Sequence, residues 1–366
     1  MACKIAYLCS SDSWGGLEMN QLRNAIWMNE KGKSVCVLAL FNSPIYIASK
    51  ENKLDTISIL KHRKYFDFIA AYRLVSIIKK EKISHLIIRS TRDMSIIASV
   101  KFILGKTINT AYFMEMQLGV MKKNIFHSIR FKGIDRWFCP LSFLADQVSF
   151  KTNYKTSNIR VLGSGIDLSK INKLDRNIAR KNLGLPVDVF LLGLPGRIDP
   201  QKGQKLLLNA LEEVDQSNIH LVLMGNSTIN EGNSYENEIL SIIKKNNWSK
   251  KIHLIGHQSD MSNFYSAINC MVMASKSETF GMVTLESLAY EVQVIGSNAG
   301  GTPELLGNGE FGYLFESQNA KSLAKNILIA YRNKKNLSKS KLNAHLAKFD
   351  HHFICEKIEN ELSLKN

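Results

Sequence analysis

The chain has no apolar run near the roughly 20 residues that a membrane-spanning helix needs, so nothing in it reads as a bilayer span. Its six cysteines, at positions 3, 9, 36, 139, 270 and 355, lack metal-ligand spacing, and several sit inside apolar runs. They read as reduced core residues rather than a disulfide framework. Met1-Ala2-Cys3-Lys4-Ile5 runs straight into a strand and reads as leaving no space for a leader, so a cytoplasmic location is expected. Only six prolines occur in 366 residues, and 45% of the chain is apolar, which excludes a disordered protein. The turn Gly15-Gly16-Leu17-Glu18 lacks the three-glycine dinucleotide fingerprint, which argues against a nicotinamide site. Acidic residues are also short, 32 Asp and Glu against 48 Lys and Arg.

That shortage is uneven. Residues 1–170 hold 26 Lys and Arg against 12 Asp and Glu, a balance of +14, whereas residues 171–340 hold 18 against 16. A basic half joined to a near-neutral half points to an anionic partner for the first: an anionic acceptor, a membrane surface or nucleic acid. Part of the lysine excess is also explicable as compositional bias. The length exceeds what one core usually supports, so two domains are expected.

The densest chemistry lies in Ser277-Glu278-Thr279-Phe280-Gly281-Met282-Val283-Thr284-Leu285-Glu286. An apolar segment, Ile268 to Ala274, precedes it as a buried parallel strand, and Val283 to Tyr290 follows as a helix. A strand, loop and helix in that order present free backbone N–H groups to an anion, and Gly281 lets a phosphate approach the backbone. Glu278 in the loop and Glu286 in the helix bracket that position. A sugar joined to a nucleoside through a diphosphate fits such a site.

A second landmark, Gly196-Arg197-Ile198-Asp199-Pro200-Gln201-Lys202-Gly203, follows the strand Val189 to Gly193. Arg197 can fork two hydrogen bonds to phosphate oxygens, and Lys202 adds a point charge. Two more strands, His220–Gly225 and Lys251–Gly256, each stop at a glycine, the second followed by His257.

The first half alternates strands at 4–9, 34–40, 57–60, 85–89 and 110–114 with helices at 17–31, 66–81 and 93–102, the doubly wound pattern. Residues just past strand ends face ligand in that pattern. Here they are Arg89, Ser90, Arg92 and Asp93 after one strand, and Glu115, Met116 and Gln117 after another. Glu115 suits either of two roles: positioning or deprotonating an acceptor hydroxyl, or pairing with a nearby arginine. Lys122 to Gly133 carries Ile125, Phe126 and Ile129 on one side of a helix and cations nearer the other. It reads as an ordinary amphipathic helix with its apolar face in the core, or as a patch resting on anionic lipid headgroups. Residues 168–187 read as a polar, helical crossing into the second domain. Residues 340–366 form a mixed helix whose adjacent His351 and His352 lack the spacing of a metal pair.

Glu278 and Glu286, with seven residues between, resemble the E-x7-E motif of retaining glycosyltransferases of family 4. Val294 to Leu306, with Gly300-Gly301 and Pro303-Glu304, matches that family's next strand and glycine loop. Gly196 to Gly203 resembles its G-R-x4-K-G segment, and Gly165-Ile166-Asp167 its hinge-side N-G-[VI]-D, with Ser164 in place of the asparagine. Glu115-Met116-Gln117 departs from the histidine that many members carry there.

The resemblance covers nearly the whole chain and implies an α/β GT-B architecture, two Rossmann-like doubly wound domains facing a central cleft. Residues 1–167 would bind acceptor and 168–344 the donor, with a terminal helix at about 345–366 packing back on the first domain. Gly15, Gly16, Arg197, Lys202 and Gly281 to Val283 would face the donor phosphates. Glu286 would hold ribose hydroxyls, and Glu278, beside Phe280, the transferred sugar. His257 would lie near the nucleobase. Arg89, Arg92, Asp93, Glu115 and Gln117 would line the acceptor side. The donor implied is a nucleotide sugar, UDP-linked favoured over GDP-linked, and the acceptor a saccharide or lipid-linked saccharide of a surface polysaccharide. No Asp-x-Asp pair occurs, so no metal or other cofactor is expected.

Three rival readings remain. A GT-B epimerase or phosphorylase would need further catalytic groups. A basic nucleic-acid-binding protein would explain the charge, but no such motif is present, so no nucleic acid is expected. A non-catalytic membrane-binding protein would explain the charge as well, and a peripheral contact with the cytoplasmic face of a membrane is compatible with the enzyme reading.

Overall fold

The computed structural model describes residues 3–65, 67–214, 216–227, 234–333, 335 and 337–364. Met1, Ala2, Phe66, Lys365 and Asn366, which enter the expectations above, lie outside them. The chain divides into two units, residues 1–165 with 349–366, and residues 166–348.

The first unit is built on seven parallel strands: β1 (Lys4–Cys9), β2 (Ser34–Leu40), β3 (Asp55–Ile59), β4 (Ile83–Ile88), β5 (Asn109–Phe113), β6 (Arg136–Cys139) and β7 (Ile159–Val161). They run in the order β3-β2-β1-β4-β5-β6-β7. Strands buried on both faces need apolar side chains throughout, and β1 and β2 supply them, with Ile5 to Cys9 and Val35 to Leu40 all buried. One face packs against the helices Phe68–Lys80, Met94–Leu104 and Ser142–Lys151 around Trp137, Tyr112 and Phe131. The other packs against the helices Gly16–Glu30 and Pro44–Glu51, and against His351–Leu362 from the end of the chain. Burial pushes the thiols of Cys9, Cys36 and Cys139 up to about 12, so these cysteines are inert core residues.

The second unit has six parallel strands: β8 (Phe190–Pro195), β9 (Ile219–Met224), β10 (Ile252–Ile255), β11 (Cys270–Met273), β12 (Gln293–Ser297) and β13 (Tyr313–Phe315). Their order is β10-β9-β8-β11-β12-β13. In each unit the strand order reverses once, at β1/β4 and at β8/β11. The crevice beyond the carboxyl ends there is where open α/β sheets take ligands.

Several elements differ from the sequence expectation. The crossing 168–187 holds a 3-10 turn, Leu168–Lys170, and one short α-helix, Arg176–Asn182. Buried Arg180 fastens it by donating to the carbonyl of Ala267 at 2.9 Å and to Asn269 Oδ1 at 2.7 Å. The mixed helix of 340–366 is two helices, Lys339–Ala347 in the second unit and His351–Leu362 in the first. The core placement of Ile125, Phe126 and Ile129 is overturned. They lie on a helix, Ile125–Lys132, but are 69%, 65% and 44% exposed. So short a helix turns only one side inward, and that side is taken by Arg130 and Phe131. Phe131 packs edge-on to Trp137 at 5.1 Å, and Arg130 Nη2 donates to the carbonyl of Thr91 at 2.7 Å.

At the β1/β4 reversal Asp93 is fully buried, accepts from Ser10 Oγ, and lies 3.0 Å from His62 Nε2. Burial alone would lower the His62 pKa, but the hydrogen bond and charge of Asp93, with the Arg63 carbonyl, raise it above the ordinary value. A raised folded pKa contributes stability that is fully present below the unfolded value and lost as pH rises through the folded one. His62→Gln is therefore expected to cost about 1–2 kcal/mol in denaturant melts near pH 5.5, with the difference from wild type shrinking toward about pH 9.

Candidate functional site

The second unit's site grows from the ends of β8 and β11. After β8 the chain turns through Gly196 and Arg197 into a single 3-10 turn, Pro200–Lys202, capped by Asp199 Oδ1, which accepts from Gln201 N at 2.7 Å. Gly203 closes that turn at φ +78°. A Cβ there would lie 2.2 Å from the carbonyl oxygen of Ala274, so only glycine lets the turn press against the end of β11. The contact brings Lys202 Nζ to 3.0 Å from Glu278 Oε2, on which Ser275 Oγ also donates at 3.1 Å. Lys202 and Glu278 are 30% and 19% exposed. Arg197 projects further out, 61% exposed, its Nη2 3.4 Å from Asp199. Gln204 holds the Arg197 carbonyl at 2.7 Å.

The Glu278 backbone is fixed from the other side. Gly301 N donates to the Glu278 carbonyl at 2.8 Å, and Glu278 bridges to Gly300 in parallel. Gly281 caps the helix Met282–Ala289, which begins one residue earlier than the sequence suggested. Phe280 is buried beneath this loop, while Met282 and Val283 are half-buried. Glu286 sits on the same helix, where Tyr265 donates its hydroxyl to Oε2 at 2.5 Å. Burial, then the Glu286 charge, pushes the Tyr265 hydroxyl well up, so it stays a donor. His257 is exposed, with its N–H bound to Asn226 Oδ1 at 3.0 Å. The structure thus brings Arg197, Lys202, Glu278 and Gly281 to Glu286 to one edge of this sheet, with His257 after β10.

In the first unit, Arg89 and Glu115 form an ion pair through Nη1 and Oε1, 2% and 12% exposed. Asn20 Nδ2 donates to Glu115 Oε2 at 3.2 Å, and the Arg89 guanidinium lies 4.7 Å over the Phe113 ring. Burial raises the Glu115 carboxyl, opposed by the Arg89 charge. Of the two roles suggested for Glu115, pairing with an arginine is the one this geometry contains. Asp93 belongs to the His62 pair, and Arg92 is exposed. Gln117 Oε1 accepts from Gln147 Nε2 at 3.2 Å. The Gly15 N–H donates to Glu18 Oε2 at 3.0 Å, and Gly16 opens the helix Gly16–Glu30.

Sequence reasoning missed Tyr265, Ser275, Asn20 and His62. Each lies in an unremarkable stretch and gains meaning only from a partner brought near by the fold. Among the described residues, Asp350, His351 and His352 are the one group of three side chains with potential ligand atoms within 4.8 Å. Asp350 caps the helix His351–Leu362, and the His351 ring lies 5.1 Å from the Trp27 ring.

Residues 175–347 match the family model described as Glycosyl transferases group 1. The capsular polysaccharide biosynthesis glycosyltransferase CapM of Staphylococcus aureus is 31% identical over 202 residues, 52% of this chain and 52% of its own. A D-inositol 3-phosphate glycosyltransferase of Mycolicibacterium smegmatis is 27% identical over 187 residues, 50% of this chain and 42% of its own. The chain therefore spans about half the length of these curated relatives. Among solved structures, a glycosyltransferase from Rickettsia africae superposes with a TM-score of 0.87 at 19% identity, covering 99% of this chain and 98% of that one. HepE of Anabaena in complex with UDP gives 0.86 at 17%, covering 98% and 99%. The architecture is GT-B, two Rossmann-like α/β domains.

Gly300 holds φ +63°, and a Cβ there would fall 2.3 Å from the carbonyl oxygen of Glu278. Gly300→Ala should cost about 2–4 kcal/mol in chemical unfolding through strain and overpacking, a far larger loss than Ala for an exposed glycine gives.

Proposed function

We propose that this chain, whose residues 175–347 match the family model of glycosyl transferases group 1, is a retaining glycosyltransferase. It would transfer a sugar from a nucleotide diphosphate sugar to a saccharide or lipid-linked acceptor in surface polysaccharide synthesis. One observation carries the reading: Lys202 and Glu278 meet at 3.0 Å at the β8/β11 reversal, close to the N-terminus of the helix Met282–Ala289. Cation, carboxylate and helix N-terminus in that arrangement suit a diphosphate joined to a hydroxyl-bearing sugar. A UDP donor is favoured because HepE, a neighbour in fold, is found with UDP. CapM, named for capsular polysaccharide, supports the acceptor class.

In the proposed reaction the bond from the sugar's anomeric carbon to the diphosphate oxygen breaks. The acceptor oxygen bonds to the same face of that carbon. The acceptor proton passes to the leaving phosphate, giving the glycoside and the nucleoside diphosphate. Arg197, Lys202 and the backbone at Gly281 to Val283 stabilise the charge that gathers on the leaving group, which lowers the barrier because that charge grows toward the transition state. Glu278 contacts the sugar, and Glu286, oriented by Tyr265, holds ribose hydroxyls. On the first domain, Glu115 paired to Arg89 would position an acceptor hydroxyl rather than deprotonate it. A lipid-linked acceptor would bring the chain to a membrane surface.

Isothermal titration calorimetry with UDP, GDP and ADP tests the donor site. Wild type is expected to bind UDP selectively, and Arg197→Ala to bind it roughly 10- to 100-fold more weakly, as the loss of charge-assisted hydrogen bonds implies. A folded wild type that binds none of the three would sink the assignment. Replacing Glu278 by Gln should lower kcat for a turned-over donor by a larger factor than it weakens UDP binding, since UDP lacks the sugar-side contact and loses only the tether on Lys202.

A further inference from the structure

The first unit carries an apolar surface on three helices that pack side by side, Phe68–Lys80, Met94–Leu104 and Ile125–Lys132. Phe102 is 87% exposed, Ile69 70%, Ile125 69%, Phe126 65% and Tyr72 63%. Phe68, Phe102 and Ile129, one from each helix, line a single groove of about 350 Å³, so the patch is continuous across the three. A continuous patch of exposed aromatic and aliphatic side chains rimmed by cations marks an interaction site.

Its charge is one-sided. The three helices contain no aspartate or glutamate, yet carry exposed Arg73, Lys79, Lys80 and Lys132, half-buried Lys101 and buried Arg130. Exposed Lys106 follows the second helix, and exposed Lys123 precedes the third. The acids beside these helices are engaged: Asp67 and Asp93 at helix starts, Glu81 at the end of the first with Lys4 at 2.9 Å, and Asp135 with Lys101 at 2.6 Å. On the other face of the same sheet the helices do carry acids, and these pair with cations, Glu359 with Lys31 and Lys33, and Glu361 with Arg160. The fourth helix on the patch's own face, Ser142–Lys151, carries one acid, Asp146, so the acid-free surface is confined to these three helices.

We propose that this three-helix surface docks the protein on an anionic lipid bilayer. Phe102, Phe126 and Ile125 enter the interface, and the surrounding exposed lysines and Arg73 meet the headgroups. Aromatic and aliphatic side chains ringed by cations match the layered chemistry of such an interface, apolar below and anionic above. A second copy of the chain fits poorly, because a two-fold contact would set the same acid-free helices against each other. The proposal deepens the expectation of a membrane-facing first domain and does not depend on the donor site in the second.

Vesicle co-sedimentation of the full chain tests it, with phosphatidylcholine vesicles with and without phosphatidylglycerol, for wild type, Phe102→Ser/Phe126→Ser and Lys123→Ser/Lys132→Ser. Wild type should pellet with the anionic vesicles. Each double variant should bind at least roughly tenfold more weakly, and the lysine variant should lose most of its salt sensitivity. Both replaced phenylalanines are mostly exposed, so thermal melts should match wild type. Calorimetric UDP binding by the phenylalanine variant should also match wild type, which separates failure at this surface from failure at the donor site. No pelleting of wild type, or pelleting unaffected by the phenylalanine changes, would overturn the proposal. So would a dimer in analytical ultracentrifugation that the phenylalanine changes dissolve, since that assigns the surface to a second copy.

Discussion

The contact between Lys202 and Glu278 sets the terms for the second domain. Each residue leaves the carboxyl end of its own strand, β8 or β11, and the 3.0 Å between them exists only because those strands are neighbours at the reversal of strand order. With 30% and 19% of the side chains exposed, water screens the pair, and its net stabilisation is small, about 1 kcal/mol or less. Stability is therefore a weak reason for it to be there. A half-hydrated cation held in place by a carboxylate is instead ready to exchange part of that bond for a more highly charged anion. An entering diphosphate gains a fixed cation without the cost of ordering a free lysine.

Backbone geometry does most of the positioning. Gly203 permits the turn at φ +78° that presses against Ala274, and the Gly301 amide holds the Glu278 carbonyl at 2.8 Å. The two loops are thus fastened to β11 and to each other by main-chain contacts that no side-chain rotamer change can undo. Glu286 is controlled differently. It rests on the helix that starts at Gly281, and the Tyr265 hydroxyl, kept protonated by burial and by the Glu286 charge, fixes one of its oxygens. One carboxylate beside a lysine and another beside a neutral donor differ in what they offer: the first is tied to charge, and the second keeps its own charge for hydroxyl donors.

The alternation of strands and helices was legible because parallel strands are buried on both faces and read as short apolar runs. The loops after β8 and β11 were legible for another reason. Glycines at fixed offsets from Arg197, Lys202 and Glu278 mark backbone conformations that other residues resist. Tyr265 was not legible as the partner of Glu286, since it stands 21 residues away in a stretch that otherwise reads as core. His62 lies 31 residues from Asp93 in a polar connection, where burial could not be foreseen. The short strand β6 and the helix Pro44–Glu51 escaped notice because so few residues give no clear period. For Ile125, Phe126 and Ile129, periodicity correctly gathers an apolar face, but it says nothing of which face the neighbouring elements cover. Only the packing of Phe131 against Trp137 decides that.

That decision changes how the basic first half is understood. Summed along the chain, a balance of +14 over residues 1–170 is compatible with diffuse bias. Sorted by helix within the first unit it is not diffuse. The helices Gly16–Glu30, Pro44–Glu51 and His351–Leu362 carry glutamates, two of them, Glu359 and Glu361, paired to cations, and so present a mixed surface to water. The helices Phe68–Lys80, Met94–Leu104 and Ile125–Lys132 carry none and expose phenylalanines and isoleucines as well. The next helix on that face, Ser142–Lys151, brings the first acid, Asp146. Exposed apolar area is costly in water, and like charges crowded together repel, so the two features placed together compound each other in the free protein. Contact with an anionic, partly apolar surface relieves both at once.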